Sequence, residues 1–313
     1  MTRPFGWRDL PWLYRMRHRM LILDSRRAYT HPPLMLHDLL FNHGDISNAY
    51  CRLVEYGGQA RSNRIVGQLC HRPGHRHARL SFIGPEDRLD QPGTTALLEG
   101  LISEAGLRGA HMLVADVDED NPVFEHLRRA GFAIFARQRI WHSTAAPLEI
   151  AKAFPSLWRT ASPGDRPAMQ RLYASLVPPL VQQIDPAPFT DHHAYWVHWR
   201  GDALLGILDV TRGPLGVRLQ PFFHPEVQSV RGLVTNFLAH YRPTPDTALF
   251  VCVRSYQGGI GLPLQDLGFS PCCDQAVMVR RLTAAVHENS AAMLPTLDGK
   301  QAEASAPISR YDG

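Results

Sequence analysis

The stretch LVADVDEDNPVFEHLRRAGFAIFARQRIW, residues 113–141, decides how the chain is read, because its pattern occurs twice. It opens on an apolar run, Leu113 to Val117, with the length and composition of a largely buried strand. After a polar turn, Asn121 and Pro122 make a helix start: Asn caps orphan amides, and Pro at the first helical position forgoes a bond it could not have made. Val123, Phe124 and Leu127 form the apolar side of a short helix, and Gly131 is placed to end it in the left-handed region. A second strand then runs from Phe132 to Trp141.

The pattern returns at residues 250–278, FVCVRSYQGGIGLPLQDLGFSPCCDQAVM. Gly131-Phe132 maps on Gly268-Phe269, an offset of 137 residues (268 minus 131), and no gap is needed for Leu113 to meet Phe250 or Gln138 to meet Gln275. The same shift sets Gln91 on Gln228 and Leu101 on Leu238. Near the start of each copy, Asp9-Leu10-Pro11 is echoed by Asp165-Arg166-Pro167. A period this long implies two copies of a whole domain rather than a solenoid.

Length agrees. The 313 residues suit two domains, each with its own core. Hydrophobic content is 44%, with no apolar run long enough to span a bilayer and no apolar leader in MTRPFGWRDL, so a cytoplasmic protein without a membrane partner is expected. Net charge is only +4 and the arginines are dispersed, which argues against nucleic acid as a partner. The five cysteines lack zinc-like spacing, and adjacent Cys272 and Cys273 are poor disulfide partners, so reduced thiols are expected.

The pattern predicts one basic amphipathic helix over 8–29, a hairpin of strands over 49–56 and 64–71 around Gly57-Gly58, a strand over 78–83, and a helix from Thr94 to Gly106. A helical pattern also lies near residues 34–41. The second copy repeats the order: a helix over 165–176, strands near 194–199, 203–211 and 216–220, and a helix over 230–241. The expected boundaries are a first domain over 1–146, a linker over 147–156, a second domain over 157–285, and a disordered tail over 286–313.

Helix, three antiparallel strands, helix, strand, helix, Gly-Phe, strand resembles the GNAT superfamily of acetyl-CoA-dependent N-acetyltransferases. The N-P leading to L-x-x-x-G-F at Phe132 looks like the family's late motif. Ile83-Gly84-Pro85 and Leu219-Gln220-Pro221 resemble the V-x-P that ends its central strand. The resemblance implies an α/β (α+β) fold of two tandem GNAT-like domains, each a mixed, mostly antiparallel sheet flanked by helices, and it covers roughly residues 5–142 and 157–283.

It also implies acetyl-CoA as cosubstrate, held by its pyrophosphate at a helix N-terminus. The family's loop, Q/R-x-x-G-x-G/A, corresponds here to Gln91-Pro92-Gly93-Thr94-Thr95-Ala96. Gln91 and Ala96 fit, the Gly is displaced to Gly93, and the hydroxyls of Thr94 and Thr95 are candidate phosphate donors. Together with Ile83 and Asn121 these form the implied cofactor site. The second copy, Gln228-Ser229-Val230-Arg231-Gly232-Leu233, is bulkier, and its domain is expected to be degenerate.

Acetyl transfer to an amine needs a base for the ammonium and an acid for the leaving thiolate. The family's Tyr acid lies four residues before the Gly of Gly-Phe, where this chain has Leu127 and Leu264. For the base, Glu86 and Asp118 are the leading candidates, with Asp116 nearby and Glu55 on an earlier strand. Cys272 and Cys273 read as inert thiols rather than nucleophiles, and His71, His75 and His77 as a turn between strands rather than a metal set. Two functions remain open: transfer of acetyl from acetyl-CoA to an amine of a small molecule or peptide by the first domain, or a catalytically inactive GNAT-like protein that binds acyl-CoA or another ligand or forms an interaction surface. The two differ in the gap between the third and fourth strands of the first copy, which an enzyme keeps open and a scaffold fills. Oligomeric state is open too, with a homodimer through sheet edges among the options.

Overall fold

A computed structural model describes residues 2–32, 49–55, 64–90, 93–144, 155–187, 189, 194–241 and 247–282. The hairpin turn at 57–58, the helical pattern near 34–41, Gln91 and Pro92 of the loop, most of the linker and the tail lie outside them.

The first half comprises β1 (Thr2–Pro4), α1 (Leu10–Met16), β2 (Leu21–Ile22), α2 (Ser25–Ala28), β3 (Ala49–Glu55), β4 (Arg64–His71), β5 (His77–Gly84), α3 (Gly93–Leu107), β6 (Met112–Asp118), α4 (Val123–Arg129) and β7 (Ala133–Ser143). The second comprises β8 (Arg159–Thr160), α5 (Arg166–Leu176), α6 (Pro179–Ile184), β9 (Ala194–Arg200), β10 (Ala203–Gly213), β11 (Gly216–Phe223), α7 (Val230–Tyr241), β12 (Ala248–Arg254), α8 (Gly261–Asp266) and β13 (Ser270–Arg281). Apart from β2 and α2 in the first half and α6 in the second, the two GNAT-like halves repeat one order of elements.

Their strands form one continuous sheet in the order β1-β3-β4-β5-β6-β13-β7-β12-β11-β10-β9-β8, with β2 added on β5. The halves exchange their last strands. β13, from the second half, pairs with β6 of the first, while β7 pairs with β12 of the second. The cores follow the exchange: Ala276 and Met278 pack with Leu101, Leu113 and Leu127, and Trp141 packs with Leu219, Phe237 and Phe269. Each exchanged strand carries apolar side chains worth roughly 1.5–3 kcal/mol apiece when buried, so neither core closes without the other half.

The central β7–β13 ladder has the symmetry of the repeat. Gln138 faces Gln275, Arg139 faces Asp274 and Arg137 faces Ala276. The register slips once on each strand, leaving Phe135 and Cys272 unpaired, and these two are themselves 137 residues apart. Gly131 and Gly268, at φ +83° and +81°, end α4 and α8 as left-handed caps.

The Asp9 and Asp165 echo is also structural. Asp9 receives both ends of the Arg3 guanidinium at 2.7 Å and the Gly6 amide at 3.0 Å. Asp165 receives Arg159 at 2.7 and 2.6 Å and the Ser162 amide at 2.7 Å. Each aspartate ties a helix start to the strand before it.

Three expectations need correction. The single helix over 8–29 is broken: α1 ends in a tight turn at Arg17–Arg19, and the chain is extended at Leu21–Ile22. An extended Met20–Leu23 buries Met20 and Leu23 and half-buries Leu21 and Ile22 while its backbone enters the sheet, which one helical face would not allow. The strand over 216–220 runs on to Phe223, so the second counterpart of Ile83-Gly84-Pro85 is Phe223-His224-Pro225 rather than Leu219-Gln220-Pro221. Register shows this, since Gly67 faces Ile83 and Gly206 faces Phe223. β1, β8 and α6 have no counterpart in the expected elements.

Candidate functional site

In the first half, β5 and β6 pair in parallel only from His77↔Met112 to Arg79↔Val114, and then diverge. The resemblance places the thioester in this gap. The chain itself occupies it. Leu21 faces Ile83 and Ile22 faces Phe82; beyond them the Leu23 amide donates to the Ser81 carbonyl at 2.9 Å, and the Asp116 amide donates to the Leu23 carbonyl at 2.8 Å. Leu23 thereby bridges both walls, with a side chain 0% exposed. The segment then turns into α2, where Asp24 accepts from the Arg26 amide at 3.1 Å.

The second half closes its gap differently. β11 and β12 pair from Gly216↔Ala248 to Leu219↔Val251 before they diverge. The Gln257 side chain crosses the opening, donating to the Pro221 carbonyl and accepting from the Arg254 amide at 3.0 Å. Ser81 and Pro221 each lie two residues before the position that faces the glycine of the neighbouring strand, Gly67 or Gly206. The same carbonyl is therefore used up in both halves.

The residues expected at the acetyl-CoA site are only partly brought together. Asn121 donates to Glu86 at 2.8 Å on the surface, and its carbonyl caps α4 through the Val123 amide at 3.0 Å. Gly93 and Thr94 open α3 and are buried, Thr95 is exposed and Ala96 is half-buried. The Thr94 hydroxyl donates to the Leu89 carbonyl at 2.6 Å, so it is not a free phosphate donor as expected. Ile83 is fully buried, with its backbone facing β2. Gln91 lies outside the described residues. The gap and the hydroxyl therefore do not fit a cosubstrate bound in the family's manner.

The candidate bases are similarly engaged. Asp118 accepts from Gln275 at 2.8 Å. Asp116 is buried and accepts from the Ser25 amide at 3.0 Å and from Arg79 at 3.3 Å. Burial alone would raise its pKa, but Arg79, Arg254 and Ser25 outweigh that and hold it below the usual carboxylate value, so it is ionised and fully partnered. Glu55 lies on β3, paired with Arg3 and Arg64 at 3.2 and 2.7 Å. Leu127 and Leu264, where the acid would stand, are 0% exposed in the two cores. His71 donates from Nε2 to the His75 carbonyl at 2.7 Å, closing the turn between β4 and β5.

Several site residues carried no expectation. Residues 20–24, MLILD, show a short apolar run followed by an Asp cap, a signal for a strand and a helix start hidden by the amphipathic reading. Arg218 places a charge, two residues before Gln220, in the mostly apolar strand GVRLQPFF, another legible signal. It is 1% exposed.

No family model and no curated protein sequence matches the chain. Solved structures do. A GCN5-related N-acetyltransferase from Sphaerobacter thermophilus superposes with a TM-score of 0.57 at 13% identity, covering 90% of this chain and 95% of that one. A tandem GNAT protein from the clavulanic acid biosynthesis pathway does so with a TM-score of 0.54 at 17% identity, covering 90% and 98%. The fold is that of the GNAT acetyltransferases. At these identities the likeness fixes architecture alone, and the GNAT fold leaves activity to be argued from the site.

Proposed function

We propose that this GNAT-fold protein is a catalytically inactive ligand-binding or interaction protein, whose first half does not transfer acetyl groups by the family's route. One observation carries the reading: Leu23 spans the β5–β6 gap with backbone bonds to both walls. A thioester entering there has to break two backbone hydrogen bonds and expose a buried Leu, a cost its own contacts must first recover. Leu127 and Leu264 in place of an acid, and Asp116 locked by partners, support the same conclusion.

The second reading, acetyl transfer to an amine of a small molecule or peptide, is favoured by one feature. Glu86 and Asn121, distant in sequence, meet near the start of α3, where a base and a phosphate-binding turn are needed. In that reading Gly93, Thr95 and Ala96 hold the cosubstrate's phosphates, and residues 1–146 are the acting domain, with 157–285 as its partner.

Calorimetric titration of the full chain with acetyl-CoA, alongside thiol-release assays over a panel of amines, tests the proposal. The expected result is no amine-dependent thiol release. Turnover that disappears in Thr95→Arg would overturn it in favour of transfer.

A further inference from the structure

A band of charged and amide side chains crosses one face of the sheet beneath α2 and the end of α6. Register puts Thr211, Asp209, Arg218 and Gln220 on this face of β10 and β11, and Cys252 and Arg254 on the same face of β12. Most of its guanidinium groups meet a carboxylate. Arg79 meets Asp116 at 3.3 Å, Arg26 meets Asp209 at 3.4 Å and Arg254 meets Asp185 at 3.1 Å.

Arg218 is the exception. Its Nη2 donates to Gln220 at 2.9 Å, while its Nε and Nη1 have no hydrogen-bond partner among the described residues. No carboxylate of the described residues stands within ion-pair distance of it. Asp209, which faces Gln220 across the strands, has Arg26 at 3.4 Å, and neither of its buried carboxylate oxygens has a hydrogen-bond partner among the described residues. Arg254 likewise keeps Nε and Nη1 without partners.

A guanidinium removed from water without a hydrogen-bonded counter-charge is among the least favourable groups a fold can hold. Its planar fork of N–H donors matches the paired oxygens of a carboxylate or phosphate. The band also reaches solvent, because the side chains of Arg26 and Asp185 at its edge are 27% and 26% exposed.

The geometry points to a small oxyanion site in the second half, in which Arg218 binds a carboxylate or phosphate group with Gln220 orienting the guanidinium and Arg254 adding positive charge on the same face. It deepens the ligand-binding reading above and rests on it.

The test compares thermal unfolding of the full chain in sodium phosphate, sodium acetate and sodium chloride at equal ionic strength, for the wild type, Arg218→Met, Arg218→Lys and the exposed control Arg200→Met. Expected is a larger rise in Tm with phosphate or acetate over chloride in the wild type and Arg200→Met than in Arg218→Met, which keeps only the general stabilisation that excluded anions give, with Arg218→Lys between them. A rise with phosphate alone assigns a phosphate-bearing ligand, and one with acetate alone a carboxylate. No rise in the wild type, or an equal rise in Arg218→Met, overturns the site. Should Arg218→Met fail to fold, a response in Arg218→Lys as large as the wild type's overturns it. Acetyl transfer by the first half would defeat the proposed function while leaving these anion responses unchanged.

Discussion

Gln138 donates to Gln275 at 2.8 Å, and each is the other's counterpart in the repeat. The pseudo-twofold relation between the halves passes through this pair, at the middle of the exchanged strands. Both side chains are buried and make further bonds: Cys252 donates to Gln138 at 3.1 Å, and Gln275 donates to Tyr29 at 3.0 Å and Asp118 at 2.8 Å.

Truncating either glutamine to Leu should therefore cost about 1–3 kcal/mol, because buried partners lose their bonds. Gln275→Leu should cost more than Gln138→Leu, since it strands Tyr29 and Asp118 as well. Urea unfolding of both single variants and the double variant checks this. The double should cost less than the sum; strict additivity would show that the pair is not one network.

Leu23 should behave as a core residue although it belongs to a two-residue strand's edge. Leu23→Ala is expected to lower stability by about 2–5 kcal/mol. Leu21→Ala, at a half-buried position, should cost clearly less. Similar small losses for both would mean that the segment leaves the gap in solution.

The two aspartate caps predict a pH dependence. Asp9 is held below the usual carboxylate range first by the hydrogen bond from Arg3, and Asp165 first by that from Arg159. A folded-state pKa below the unfolded value of about 3.9 means the unfolded chain binds protons first, so this stability is full above roughly pH 5 and is lost as pH falls through the folded values. Asp165→Asn should cost about 1–2 kcal/mol at pH 7, kept modest by the half-exposed Arg159. The gap between variant and wild type should shrink in unfolding curves taken below about pH 4.

The adjacent thiols should differ in reactivity. Burial is the main force pushing the Cys273 thiol up to about 12, and the Tyr29 hydroxyl lies 3.1 Å from its sulfur. Cys272 is the unpaired residue of the bulge and is exposed. Iodoacetamide at pH 8 followed by peptide mass spectrometry should label Cys272 well before Cys273. Faster labelling of Cys273 would show that the Tyr29 contact does not persist.

Sequence by itself determined the repeat and most of its elements. The apolar periodicities of β6, α3 and α7, the left-handed glycines at 131 and 268 and the paired aspartates are local signals, each set by backbone sterics or capping within a few residues. Local signals were enough to recognise the GNAT order and to find that Leu127 and Leu264 stand where an acid would. The tertiary structure decided what those elements do to one another. That β7 and β13 change places depends on which sheet edge gains more buried surface, a property of both halves together. The fate of Met20–Leu23 is similar: its apolar run suits either a helix face or a strand, and only the open wall between Ser81 and Asp116 selects the strand. Arg218 reads as one more arginine in a basic chain until the sheet buries it, since burial and the distance to the nearest carboxylate depend on strands that the linear order does not place side by side.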